Sequence, residues 1–132
     1  MTKPSDFILN SDYLSIAQTG RSSHTATFGG GTLQPAGYIG DYVVQHVDFT
    51  ITSELGAIDR IMISDNGSDY YVGSQMSVAP SANVVGFLNV YRVSKNVIRA
   101  ELVLTNNANT TSTYPTIIFR IKITSFKPPN VL

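Results

Sequence analysis

The chain has no cysteine and no tryptophan, and charged side chains make up only 14% of it. Without cysteine there are no disulfides and no thiolate metal sites, although the compartment stays open. The paired cysteines and buried tryptophan of an immunoglobulin domain are missing too, which favours a more generic β-sandwich. Nine basic and nine acidic side chains cancel to a formal net charge of zero. Such a chain offers no electrostatic footprint for nucleic acid or for an anionic membrane. Low charge also means little self-repulsion, so association is favoured. No stretch approaches the roughly 20 apolar residues of a membrane helix. The opening Met1 to Asp6 leads into only three apolar residues, Phe7 to Leu9, far short of a signal-peptide core. The expectation is a soluble protein made in the cytoplasm.

What is present is alternation. Ile117, Phe119, Ile121 and Ile123 point one way while Ile118, Arg120, Lys122 and Thr124 point the other, the period-2 pattern of a half-buried strand. Earlier runs repeat it. Strands are predicted near Leu14 to Thr19, with a turn at Gly20-Arg21, and near His24 to Phe28. A glycine-rich loop with Pro35 spans Gly29 to Gly40. Tyr42 to Thr52 follows as a strand with Val43, Val47, Phe49 and Ile51 inward. Ile58 to Ser64 leads into Asp65-Asn66-Gly67-Ser68, where Asn-Gly predicts a two-residue type I′ turn. That turn sets Ile63 against Tyr70 and Ile61 against Val72. Val84 to Val93 and Val97 to Leu104 form a hairpin around Lys95-Asn96, with Val93 across from Ile98 and Tyr91 across from Ala100. Thr105 to Thr113 reads as a polar loop, Tyr114 to Phe126 as the last strand, and Pro128-Pro129 as its end. The sum is one domain over residues 1–132, all-β, an antiparallel jelly-roll-like β-sandwich of about eight strands. Its predicted core is Ile61, Ile63, Tyr70, Val72, Phe87, Tyr91, Ile98, Leu102, Leu104, Ile117, Phe119, Ile121 and Ile123.

Catalytic chemistry finds no anchor. The two histidines, His24 and His46, have no second ligand at a telling spacing, and His46 falls on an outward face with Tyr42, Val44 and Asp48. No serine sits in a Gly-x-Ser-x-Gly elbow. The acidic Asp65 to Asp69 segment lacks the twelve-residue ligand spacing of a calcium loop. Gly29-Gly30-Gly31 is followed by neither a lysine nor a helix. No catalytic residue, metal or cofactor is therefore expected. Two surfaces remain. Tyr38, Tyr42 and Tyr71 lie in or beside loops and suit stacking on sugar rings, the basis for a carbohydrate-binding alternative; the competing role for such tyrosines is capping sheet edges. Leu88, Val90, Val97 and Val103 fall opposite the predicted core face of the long hairpin. Four aliphatics on an outside face imply a cover, either another segment or another subunit.

Ser5 to Leu14 (SDFILNSDYL) and Gly56 to Ser64 (GAIDRIMIS) resemble small virion-associated β-proteins encoded among bacteriophage and prophage structural genes. The resemblance covers the first half of the chain and carries no catalytic residues. It implies a non-enzymatic structural or accessory protein of a phage head or tail, made in the host cytoplasm and located in the virion. It also implies a homo-oligomer in contact with other virion proteins; a glycan is the ligand of the alternative read from the loop tyrosines.

Overall fold

The computed structural model describes residues 20–51 and 58–125, and within them the protein is all-β with no helix. Ten strands occur among the described residues: β1 Gly20–Phe28, β2 Gly31–Leu33, β3 Tyr42–Thr50, β4 Ile58–Ser64, β5 Tyr71–Val72, β6 Gln75–Val78, β7 Val84–Ser94, β8 Val97–Asn106, β9 Ser112–Tyr114 and β10 Ile117–Ser125. Two four-stranded sheets, ordered β1-β10-β4-β5 and β3-β8-β7-β6, are joined by a β2-β9 ribbon, and every pairing is antiparallel. The chain crosses between sheets early and late and runs β6-β7-β8 as a meander. The expected strand at Leu14 to Thr19 and the closing Pro128-Pro129 lie outside the described residues. Gly20-Arg21, read as a turn, opens β1 instead.

One core lies between the sheets. Ala26 and Phe28 of β1, Ile63 of β4, and Phe119, Ile121 and Ile123 of β10 meet Leu88 and Val90 of β7 and Ile98, Ala100, Leu102 and Leu104 of β8. Alternation in β10 and β8 is what puts them there. Phe28 and Phe119 meet edge to face with centroids 6.0 Å apart. Val43, Val47 and Phe49 of β3 pack against this core as expected, and Ile51 is buried just beyond the strand.

Several predicted core positions move. Ile61, Tyr70 and Ile117 are half-buried, while Val72, Phe87 and Tyr91 are exposed. Two local causes account for the exposed ones. The turn after β4 is a six-residue loop rather than a two-residue one. Ser64 Oγ accepts the amides of Asn66 and Gly67 at 3.2 and 2.8 Å, and Asn66 Oδ1 accepts those of Ser68 and Asp69 at 2.8 Å each. Asparagine and serine side chains that bind their own backbone favour such loops over tight hairpins. Gly67 still takes the positive φ (80°) that the sequence demanded. Ile63 therefore pairs with Tyr71 and Met62 with Val72.

The second cause is a β-bulge. At the turn, Ser94 pairs with Val97, in line with the expected register; one residue further, Arg92 rather than Val93 pairs with Ile98. Val93 is the extra residue, and a bulge of this kind reverses the facing of everything beyond it. Leu88 and Val90 turn inward, and Phe87, Asn89 and Tyr91 turn outward. Arg92 shares the side of Ile98, but it sits at the sheet end, where its Nη2 donates to the Lys95 carbonyl at 2.8 Å.

The predicted glycine-rich and polar loops pair with each other as β2 and β9. Their anchor is Asn106, fully buried at the end of β8. Its Nδ2 donates to the carbonyls of Gln34 and Thr110, 2.9 Å each, and its Oδ1 accepts the Ala108 amide at 2.9 Å. A buried amide is tolerated when its hydrogen bonds are made.

Candidate interaction face

The outer face of the β3-β8-β7-β6 sheet is built in rows running across the strands. Val44, Val103, Phe87 and Ser77 form one row, and His46, Glu101, Asn89 and Gln75 the next. Asp48, Arg99 and Tyr91 form a third. Tyr42, Thr105 and Val85 lie on the other side of the apolar row. A sheet face turned to water should alternate core-in with polar-out. Here Tyr42, Val44, Phe87, Tyr91 and Val93 are all exposed, Phe87 at 45% of its surface. Val85, Val97 and Val103 are half-buried between them.

The polar rows satisfy themselves. Arg99 donates to Asp48 through Nε at 2.8 Å and Nη2 at 3.0 Å, the two-pronged geometry that suits guanidinium and carboxylate. That hydrogen bond holds the Asp48 carboxyl below the usual carboxylate range and raises the Arg99 pKa. Gln75 Nε2 donates to Asn89 Oδ1 at 2.8 Å, and the Tyr91 hydroxyl donates to Glu101 at 3.4 Å. Asp48 and Glu101 against Arg99 leave the face with a single net negative charge.

The four residues expected on this face divide. Val97 and Val103 are on it, because the facing of β8 is as read. Leu88 and Val90 are not: at 0% and 1% exposure they belong to the core, turned inward by the bulge at Val93. Phe87 and Tyr91 take their place on the outside. Asn89 was the available signal, since an asparagine suits an outer face better than the core.

The three tyrosines of the carbohydrate alternative are all exposed but do not form one platform. Tyr42 lies on β3, an edge where the sheets are bridged by His24 of β1 stacked on Phe49 at 4.7 Å. Tyr38 lies in the loop just before that strand, where the Asp41 amide donates to its carbonyl. Tyr71 lies on β5, at the opposite edge. Tyr70 is half-buried beneath the Lys122 ammonium, 4.3 Å from its ring centroid.

Among the described residues no three histidine or acidic side chains gather as a metal site. Ser22 Oγ and His24 Nε2 are buried without hydrogen-bond partners, so no serine–histidine pair is formed there. A groove of about 480 Å³, lined by Ser23, Asp59, Arg60, Lys122 and Thr124 among others, opens beside the other sheet. Comparison with protein-family models, with curated proteins and with solved structures returned no match.

Proposed function

We propose that this protein is a non-enzymatic structural subunit, an accessory of a bacteriophage head or tail, that works by having the outer face of its β3-β8-β7-β6 sheet covered in an assembly. The observation that carries the assembly reading is the apolar row Val44–Val103–Phe87. It crosses three strands on the side away from the core, flanked by exposed Tyr42 and Tyr91. Apolar residues concentrated on one face mark an interface, and exposed aromatics are enriched at such surfaces. The virion assignment rests on the resemblance of Ser5 to Leu14 and Gly56 to Ser64 to phage structural proteins.

The test is composition and dependence. Purified particles from the source phage or prophage should contain the protein at a fixed copy number. Phe87→Glu should remove it from particles while leaving its circular dichroism unchanged. Particles that lack the parent protein would refute the virion role. Normal incorporation of a folded Phe87→Glu protein would refute the face. The carbohydrate alternative requires glycan-array binding that falls on Tyr38→Ala and Tyr42→Ala.

A further inference from the structure

We infer that Asn66 is a site of self-modification held in check by the fold. Its side chain closes onto the Gly67 nitrogen and becomes aspartate or isoaspartate whenever the loop between β4 and β5 opens. The Ser64 hydroxyl restrains that reaction while the loop is closed. The site lies outside the interaction face and does not depend on the assembly reading.

The sequence supplies the reactants. Asn66-Gly67 is the single Asn-Gly pair in the chain, and each other asparagine precedes a residue with a side chain. Glycine has no Cβ to shield its nitrogen. The space beside Gly67 is open as well, with no heavy atom within 4 Å of where a Cβ would stand. In the reaction the Gly67 nitrogen loses its proton and attacks Asn66 Cγ. A new C–N bond closes a five-membered imide, and the side-chain nitrogen leaves as ammonia. Water then opens the ring. Addition at Cγ gives aspartate; addition at the Asn66 main-chain carbonyl gives isoaspartate, with the backbone rerouted through Cβ and Cγ. One water is consumed and one ammonia released, and no other reagent is needed.

The closed loop withholds both partners. The Gly67 amide donates its proton to Ser64 Oγ at 2.8 Å, so the nucleophile is occupied. Asn66 Oδ1 accepts the Ser64 hydroxyl at 2.9 Å and the amides of Ser68 and Asp69 at 2.8 Å each, while its Nδ2 donates to Asp69 Oδ2 at 3.1 Å. Ring closure draws Cγ onto the Gly67 nitrogen and out of this net, so the bonds must break first. Three donors on Oδ1 also polarise the carbonyl, but that gain is idle while the nitrogen keeps its proton. Ser64 is fully buried, which makes it the anchor for the exposed loop residues. The rate in the folded protein is therefore the rate of the free chain multiplied by the fraction of time the loop is open.

The product bears on the fold. Either acid adds a negative charge between Asp65 and Asp69. Isoaspartate also lengthens the main chain of a loop whose ends are fixed by the Ile63–Tyr71 pairing. The loop does not close again as before, so each event is a permanent record of opening.

Peptide mapping by mass spectrometry reads the conversion, and reversed-phase separation tells isoaspartate from aspartate. In urea at mildly alkaline pH, Asn66 should convert well ahead of every other asparagine. In the folded protein it should convert at least ~10-fold more slowly, the equivalent of about 1.4 kcal/mol of loop opening. A folded Ser64→Ala variant, checked by circular dichroism, should recover most of that factor. Hydrogen exchange supplies a measurement that needs no variant. The Gly67 amide should be protected by the same factor, because both processes wait on the same opening. Equal conversion rates in the folded and urea-unfolded protein, or a folded Ser64→Ala protein that converts no faster than the parent, would overturn the restraint. If Ser64→Ala does not fold, a Gly67 amide that exchanges as fast in the native protein as in urea overturns it instead. Absence of conversion in urea would overturn the site itself.

Discussion

Replacing Asn106 by alanine tests how the ribbon is held to the sandwich. Asn106 makes three hydrogen bonds of 2.9 Å with its amide group, to the Gln34 and Thr110 carbonyls and from the Ala108 amide, at a site without solvent exposure. A net hydrogen bond is worth about 0.5–1.5 kcal/mol, and stranding a buried partner costs about 1–3 kcal/mol. Three such losses, softened by water entering the vacated space, come to roughly 3–5 kcal/mol. For a domain of this size that is roughly a 10–20 °C drop in Tm, measurable by thermal melts and confirmed by urea titration with an unchanged slope. Asn106→Asp adds a diagnostic. A carboxylate facing two carbonyls in a buried site has its pKa raised, so its charged form is the costly one. Stability in that variant is therefore least impaired in acid and worsens as pH rises through the ordinary carboxylate range. A loss below about 1 kcal/mol in the alanine variant would show that the loops stand without the amide. The same loss at pH 4 and pH 7 in the aspartate variant would show that the site is open to water.

Two further changes probe other parts of the core. A Cβ added at Gly86 would run into the carbonyl oxygen of Val103 on the neighbouring strand, so Gly86→Ala should cost roughly 1–3 kcal/mol or more by forcing β7 from β8; unchanged thermal stability would place β7 differently against β8. His24 is stacked on Phe49 with Nε2 buried, and burial lowers its pKa from the ordinary 6.5. The unfolded chain therefore takes up this proton first. The His24 contribution to stability is complete above pH 6.5, shrinks as pH falls below it, and levels off once the folded imidazole also protonates. His24→Phe should remove that part of the pH dependence in urea titrations between pH 5 and 8, and identical parent and variant profiles would show His24 to be solvated.

The strands whose two faces differ sharply in polarity were legible from the residues alone. In β10, isoleucine and phenylalanine alternate with arginine and lysine, and only one facing avoids burying charge. β8 carries Arg99 and Glu101 between its aliphatics, which placed Val97 and Val103 outward. In β7 the contrast is weak, because its polar residues Asn89 and Arg92 fall on opposite faces. Val84, Leu88 and Val90 compete with Val85, Phe87, Tyr91 and Val93, so either facing buries a similar apolar set. One extra residue at the bulge decided between them, and nothing in Tyr91-Arg92-Val93-Ser94 announces it. The candidate interaction face was legible to the same extent: its β3 and β8 strands were, its β7 strand was not. The six-residue loop was hidden because Asn66-Gly67 signals a tight hairpin whatever its neighbours do; the Ser64 hydroxyl and the Asn66 side chain, capturing two loop amides each, widen it. The β2-β9 pairing was hidden because it joins two segments rich in glycine, threonine and serine, whose register comes from Asn106 rather than from apolar periodicity.

The flank of the sandwich closed by β5 and β6 limits how another chain can join the fold there. An exposed edge strand is a template, and an incoming chain needs a run of free amides and carbonyls to zip onto it. β5 offers two residues and β6 four, and between them the chain turns from one sheet to the other, with the Gly73 amide donating to Ile61 and the Ser74 carbonyl accepting from Val90. That border is too short and too preoccupied to recruit another strand. Edge-to-edge growth is blocked along it, and the sandwich's long edges are confined to the opposite flank, where β1 and β3 run nine residues each.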